Sequence, residues 1–416
     1  MTASVRHYLI VTASYWGFTL VDGALRMLVL FHFFRLGYSP FTLSFLFLLY
    51  EFAGIVANLS GGWFAARYGI PRMLAVGQGL QVAGLLMLSA LDPGWTAVAS
   101  VAWVVVAQGI AGLAKDFTKT ASKSAIKATS VEGAGQLFKW VAYFTGSKNA
   151  MKGVGFFFGG LLLELLGFRG ALWLMAAIIG VIFLLGFAYL PRQLGKAKSS
   201  RTVREFFAKS RNVNLLALAR VFMFGAREVW FMVGLPVFLY AAGWKFIEVG
   251  SFLAAWTIAY GLIQVLAPSL ITRSPDGLSK EIPHARVWAG LLFVVPFFLA
   301  LALREPHLWR PDIVLVVGLS IFGVPFAVNS SLHSYLILAY AGSGKAAEDV
   351  GFYYAANAAG RLIGILLSGA LYQAGGIVAC LLGSAAMLLV CWVSTFFLSH
   401  SPDRPSLPKT MIRRAF

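Results

Sequence analysis

Residues 191–212 read PRQLGKAKSSRTVREFFAKSRN, seven basic side chains against one glutamate. Long apolar sequence stands on either side. A stretch this charged has to lie in water, because an ionised side chain at the centre of a bilayer costs about 2.5–3.5 kcal/mol on insertion scales. It therefore divides the chain into two membrane-embedded blocks. Working outward, each block holds six apolar segments near the roughly 20 residues that a crossing helix needs. The first block gives 8–33, 41–65, 73–91, 96–118, 138–163 and 170–190. The second gives 213–240, 247–271, 287–303, 313–340, 350–372 and 377–399. The expected fold is an all-α membrane protein of twelve transmembrane helices in two halves. Residues 1–191 form the first half, 192–212 the linker, 213–400 the second half and 401–416 a tail.

Composition points the same way. The 416 residues are 59% hydrophobic and only 12% charged, against about 25% charged in soluble domains. The first apolar segment carries Asp22 and Arg26 and has no small-residue cleavage site behind it, so it reads as a span and not a signal peptide. The net charge of +18 could suggest nucleic acid, but its placement does not. With the amino terminus in the cytoplasm, 22 of the 34 Lys and Arg fall inside and 5 outside. That is the bias that orients membrane proteins. Cys380 and Cys391 both lie in the last span, where packing or lipid contact is the expected role. They offer no disulfide framework, and no metal or cofactor is expected.

The two halves match when slid over each other. At an offset of 206, Gly37 falls on Gly243, Asp22 on Glu228, Asn58 on Gln264 and Arg67 on Arg273. Near the fifth and eleventh spans the offset becomes 209, and Lys152 falls on Arg361. Matched charges inside membrane segments are the informative part, and a duplicated six-span unit is a common transporter design.

Seven cations lie within the spans: Arg26, Lys115, Lys148, Lys152, Arg220, Arg227 and Arg361. They face four acids: Asp22, Glu51, Asp116 and Glu228. The excess of three positive charges predicts an anionic, multiply charged cargo. Substrate-binding candidates are Lys152, Arg361, Lys148, Arg26, Arg227, Asn149, Asn357, Lys115, Tyr143 and His333. Asp22, Glu228 and Glu51 are candidate proton-coupling sites, since burial favours a neutral carboxyl. Bland alternatives stand beside these. Asp22 and Arg26 are four apart and could neutralise each other. Arg227 and Glu228 are adjacent and should point apart, leaving one to find a partner on another helix. Arg220, nearer the cytoplasmic end, could simply snorkel. His333, within VPFAVNSSLHSY, could be a packing residue in a Pro-disturbed tenth span. Lysines 115, 119, 123 and 127 form a ladder on one helix face. At 1.5 Å per residue they lie about 28 to 46 Å from the turn at 91–95, so only the first rungs remain within a hydrocarbon core of about 30 Å.

Several motifs, in order and in the right spans, resemble the major facilitator superfamily. GWFAARYGIPR (62–72) keeps Gly62, Arg67, Gly69 and Arg72 of the loop after the second span, with Ala66 in place of its Asp. Gln108–Gly109 survives from the fourth-span motif with Val105 for Arg. GFFFGG (155–160) matches the fifth-span motif of exporters with Phe156 for Pro, and GGLLLELLGFRGALWLM (159–175) has the look of the fifth-to-sixth hairpin. Longer stretches resemble one branch, the organoarsenical efflux permeases called ArsJ. These are 15–40, 109–127, 145–160, 224–231 and 260–268. That resemblance implies export of 1-arseno-3-phosphoglycerate, the product formed when arsenate replaces phosphate in the glyceraldehyde-3-phosphate dehydrogenase reaction. The dehydrogenase would then be a functional partner. It further implies a monomer in a bacterial inner membrane with both termini cytoplasmic, working by proton-coupled alternating access. A transporter or exchanger of ordinary organic phosphates remains the alternative, and a membrane-embedded enzyme or receptor is a more distant one: no HExxH, Walker A or GxSxG motif occurs.

Overall fold

The computed structural model describes residues 3–129, 134–189, 209–271, 274, 278–305, 310–340 and 346–399. Within these, the side chains of 3–8, 61–68, 123–129, 134–146, 268, 346–348 and 350 are not described. Most of the basic linker, the tail and the side chains of Tyr143, Lys123 and Lys127 therefore lie outside the described residues.

Among the described residues the chain is helical. In order it forms α1 (Ala3–Arg35), α2 (Pro40–Phe45), α3 (Leu48–Tyr68), α4 (Ile70–Ser89), α5 (Ala97–Thr129) and α6 (Ala134–Tyr189). The second half continues with α7 (Arg211–Phe231), α8 (Gly234–Ala241), α9 (Phe246–Leu266), α10 (Glu281–Ala302), α11 (Pro311–Tyr340) and α12 (Ala346–Phe396). Nine helical segments among the described residues are long and apolar enough to cross a membrane. Two of these, Ser147–Tyr189 and Gly351–Phe396, are 43 and 46 residues long, twice what one crossing needs. Each folds back on itself, at Gly167 and at Gly375–Gly376, between the paired spans expected there. The 20-residue α4, made less apolar by Arg72, Gln78 and Gln81, is the remaining crossing. The total is the expected twelve.

Local sequence explains the breaks. Span two is split into α2 and α3. Ser39 starts α2 by accepting the Thr42 N–H at 3.2 Å, with Pro40 at the first helical position, where its missing N–H costs nothing. Span seven is split into α7 and α8, because the ring of Pro236 opposes the carbonyl four residues back. The freed Gly234 N–H donates to Ser368 Oγ at 3.0 Å. Pro325, by contrast, is accommodated inside a continuous α11; the tenth span is not broken.

The repeat is visible in the backbone. Gly37 and Gly243, 206 apart, both adopt positive φ (83° and 95°) at the turn after the first helix of each half. Gly167 and Gly376, 209 apart, both adopt positive φ (66° and 61°) at the hairpins. These are conformations that only glycine adopts freely. The same two offsets relate the contacts between the halves. A Cβ on Gly160 of α6 would meet the Phe246 carbonyl oxygen at the start of α9, and one on Gly369 of α12 would meet that of Pro40 at the start of α2. Two equivalent seams thus join the halves: α6 against α9, and α12 against α2 and α3.

At the end of the molecule carrying the Gly37 and Gly243 turns, aromatic side chains close the gap between halves. Phe31 stacks on Phe246 at 4.8 Å and Phe34 meets Tyr240 edge-on at 5.3 Å. The Phe41 N–H donates to Gln373 Oε1 at 3.4 Å.

Candidate functional site

Behind that closed end lies a cavity of about 210 Å³ between the halves. Its walls are stripes read off single helix faces, with residues three, four or seven apart. Helix α1 gives Tyr15, Phe18, Thr19 and Asp22, and α6 gives Lys148, Asn149, Lys152 and Phe156. Helix α7 gives Arg220, Phe224, Arg227 and Phe231, α9 gives Thr257, Tyr260 and Gln264, and α12 gives Tyr354, Asn357, Ala358 and Arg361. Helix α3 adds Tyr50 and Asn58, and α5 adds Lys115 and Lys119. Seven cations line the cavity among the described residues, against one carboxylate, Asp22. A second depression, about 730 Å³ around Trp95 and Trp103, is shallow and apolar and holds no charged group.

The embedded acids are all engaged. Glu51 accepts from two arginines at once: Arg26 of α1 through Oε1 and Arg361 of α12 through Oε2. The carboxylate is wholly buried, and the two guanidinium side chains are 2% and 16% exposed. Arg26 also lies over the Tyr50 ring at 4.4 Å. The Tyr50 hydroxyl donates to Asp22. The alternative Asp22–Arg26 pair is not formed: both side chains reach partners on α3, Tyr50 and Glu51. Arg227 and Glu228 pair with each other through Nη2 and Oε1. Adjacency does not keep them apart, because both side chains are long enough to bend together. Arg227 further sits among the rings of Phe224, Phe231 and Phe326, at 5.2–5.5 Å.

The lysine ladder enters the site deeper than its length suggested. Lys119 Nζ holds Asp116 at 2.6 Å and Asn58 Oδ1 at 2.9 Å. Lys115 Nζ stands 3.9 Å over the Tyr50 ring and 3.5 Å from Asp116. Lys119 thus belongs to the cavity wall, because α5 runs on as one helix to Thr129.

Of the residues singled out from sequence, Lys152, Arg361, Lys148, Arg227, Asn149, Asn357, Lys115 and Asp22 come together around the cavity. Arg26, Glu51 and Glu228 stand behind its wall as the ion-pair layer. His333 is fully buried on α11, away from the cavity, and neither ring nitrogen has a partner among the described residues. Arg220 does not snorkel. It is buried, donates to the Ser330 carbonyl and hydroxyl at 3.3 and 3.1 Å, and stacks over Phe224 at 3.9 Å. Its stripe mates, four and seven residues on, were the available signal. Asn149 donates to Gln264 at 3.3 Å, bridging the halves, and Gln264 donates in turn to Ser330 at 3.3 Å. Thr257, whose buried Oγ1 has no partner among the described residues, was not singled out from sequence, although the offset of 206 sets it on Glu51.

Comparison with known proteins places this arrangement. The model of the Major Facilitator Superfamily matches residues 8–347. The crystal structure of a D-xylose–proton symporter superposes with a TM-score of 0.69 at 14% identity, covering 97% of this chain and 99% of that one. No curated protein matches the sequence.

Proposed function

We propose, from the premise that this chain belongs to the major facilitator superfamily, that its cargo is a small, multiply charged organic anion. The chain is a secondary transporter and not an enzyme, and it works on small molecules from within the lipid. The observation that carries the proposal is the charge around the cavity: seven cations and one carboxylate among the described residues. Lysine and arginine are the side chains suited to phosphate and arsenate oxygens, the second by bidentate geometry. The volume, about 210 Å³, is below the roughly 300–1,000 Å³ of sites for drug-sized ligands. It fits a three-carbon ester better than a bulky drug.

The specific cargo we propose is 1-arseno-3-phosphoglycerate, exported as the ArsJ-like stretches suggest, so that arsenate leaves the cell in the form the dehydrogenase makes. With the basic loops inside, the aromatic closure faces outward, the cavity loads from the cytoplasm, and both termini lie in the cytoplasm of a bacterial inner membrane. Proton-coupled alternating access in a monomer completes the proposal, and the symporter with the same fold is a precedent for the coupling. Two buried cysteines on one helix suit a pentavalent oxyanion ester better than trivalent arsenic, which seeks clustered thiols.

Everted membrane vesicles test this. Uptake of arsenic is expected only when arsenate, the dehydrogenase, its aldehyde substrate and NAD as hydride acceptor are supplied together, and it should respond to an imposed pH gradient. Equal uptake of 3-phosphoglycerate alone would favour the ordinary organic phosphate as cargo, which the same cations would serve. Indifference to the pH gradient would remove the proton from the mechanism.

A further inference from the structure

The two seams between the halves carry different charges at equivalent positions. On the α3–α12 seam, Glu51 faces Arg361 and they form an ion pair between the halves. The offsets that relate the seams, 206 for α3 to α9 and 209 for α6 to α12, map Arg361 onto Lys152 and Glu51 onto Thr257. Their helices, α6 and α9, pack against each other on that seam. The neighbour of Lys152, Gly153, would set a Cβ 2.9 Å from Ala254 O and 2.9 Å from Ile258 Cγ1, three residues before and one after Thr257. Lys152 and Thr257 both line the cavity.

The basic member of the pair is thus present on both seams, and the acidic member on one. Lys152 has no ion pair among the described residues; its ammonium stands 5.3 Å over the Phe156 ring. On the facing helix, the Thr257 hydroxyl is buried without a hydrogen-bond partner among the described residues. A buried donor without a partner and a lysine that no carboxylate contacts are both costly. Both line the same cavity, and together they offer an oxyanion an ammonium group and a hydroxyl donor.

We infer that Lys152 and Thr257 form an anion subsite in which an oxyanion of the cargo takes, on the α6–α9 seam, the place that the Glu51 carboxylate takes on the α3–α12 seam. This rests on the proposal that the cargo is an anion. It assigns Thr257 as a specificity-determining residue, and it makes the bound anion a bridge between the halves. With cargo present both seams are tied by charge, and without it only one is.

The test is 3-phosphoglycerate binding to the purified full-length protein, by calorimetry, in five forms with their unfolding midpoints. Thr257→Glu supplies the missing carboxylate internally. It should weaken binding tenfold or more while leaving the unfolding midpoint equal or higher, because Lys152 gains a partner. Thr257→Val should weaken binding several-fold, and Thr257→Ser should retain it. Thr19→Glu adds the same charge to another wall and should cost clearly less than Thr257→Glu. An equal loss from the two glutamates, or binding within twofold of wild type in Thr257→Glu, would overturn the subsite while leaving the anionic cargo in place. No 3-phosphoglycerate binding by the wild-type protein would also overturn the subsite, while the anionic cargo stands or falls with the vesicle uptake.

Discussion

The α3–α12 seam and the α6–α9 seam are built from the same backbone plan and solved differently. Both use a glycine against the first residue of the facing helix, Gly369 on Pro40 and Gly160 on Phe246. Both place a cation of the fifth or eleventh span on the cavity. Only one completes the ion pair. An internal salt bridge holds the halves together in every state that preserves it, whereas an unpaired cation binds them only when something anionic arrives. A transporter has to do both: remain one molecule with nothing bound, and respond to its cargo. The difference between the seams separates these tasks.

Six substitutions would sharpen or break this comparison. Glu51→Ala leaves Arg26 and Arg361 uncompensated, and removing one partner of a buried pair costs about 3–5 kcal/mol. A large fall in the unfolding midpoint is expected, against a small one for Thr257→Ala. Equal losses would mean that the seams do not differ in charge. Next come Gly160→Ala and Gly369→Ala. Each places a Cβ within 2.7 Å of a carbonyl oxygen on the opposite half, and each should cost about 1–3 kcal/mol, by similar amounts, since the steric plan is shared. Lys152→Ala is expected to cut anion transport about tenfold or more, equivalent to ~1.4 kcal/mol or above. It should lower stability little or raise it, because the charge it removes has no partner. The smallest effect is expected from Tyr354→Leu. This loses the Lys119 contact across the halves, 6.0 Å from ammonium to ring centroid, worth about 0.5–1 kcal/mol at most. Labelling of an introduced cysteine on the cavity wall would report whether that end of the cavity opens more readily.

Much of this was legible in the chain. Apolar length gave all twelve crossings, because lipid leaves a backbone segment few ways to satisfy its own hydrogen bonds. The two offsets, 206 and 209, were readable from glycines and charges and reappear in the backbone at Gly37 and Gly243 and at Gly167 and Gly376. The cationic character of the site was legible for the same reason: charges inside apolar spans stand out. What was not legible was their pairing. Asp22 and Arg26 look like partners at one helical turn, yet each reaches a side chain on α3 instead, Tyr50 and Glu51. Arg220 and Lys119 looked peripheral by distance along the helix, and tertiary packing brought both to the cavity.

The sequence by itself determined the membrane fold, the duplicated halves and the cationic character of the cavity. These depend on composition and periodicity, which act residue by residue along one helix. Only the tertiary structure decided which cations are neutralised and which are left for a ligand. Charge pairing is a matter of a few ångströms between side chains on different helices. Glu51 and Arg361 are 310 residues apart in the chain and in contact in the fold, and the threonine opposite Lys152 acquires its meaning only from the glutamate it replaces.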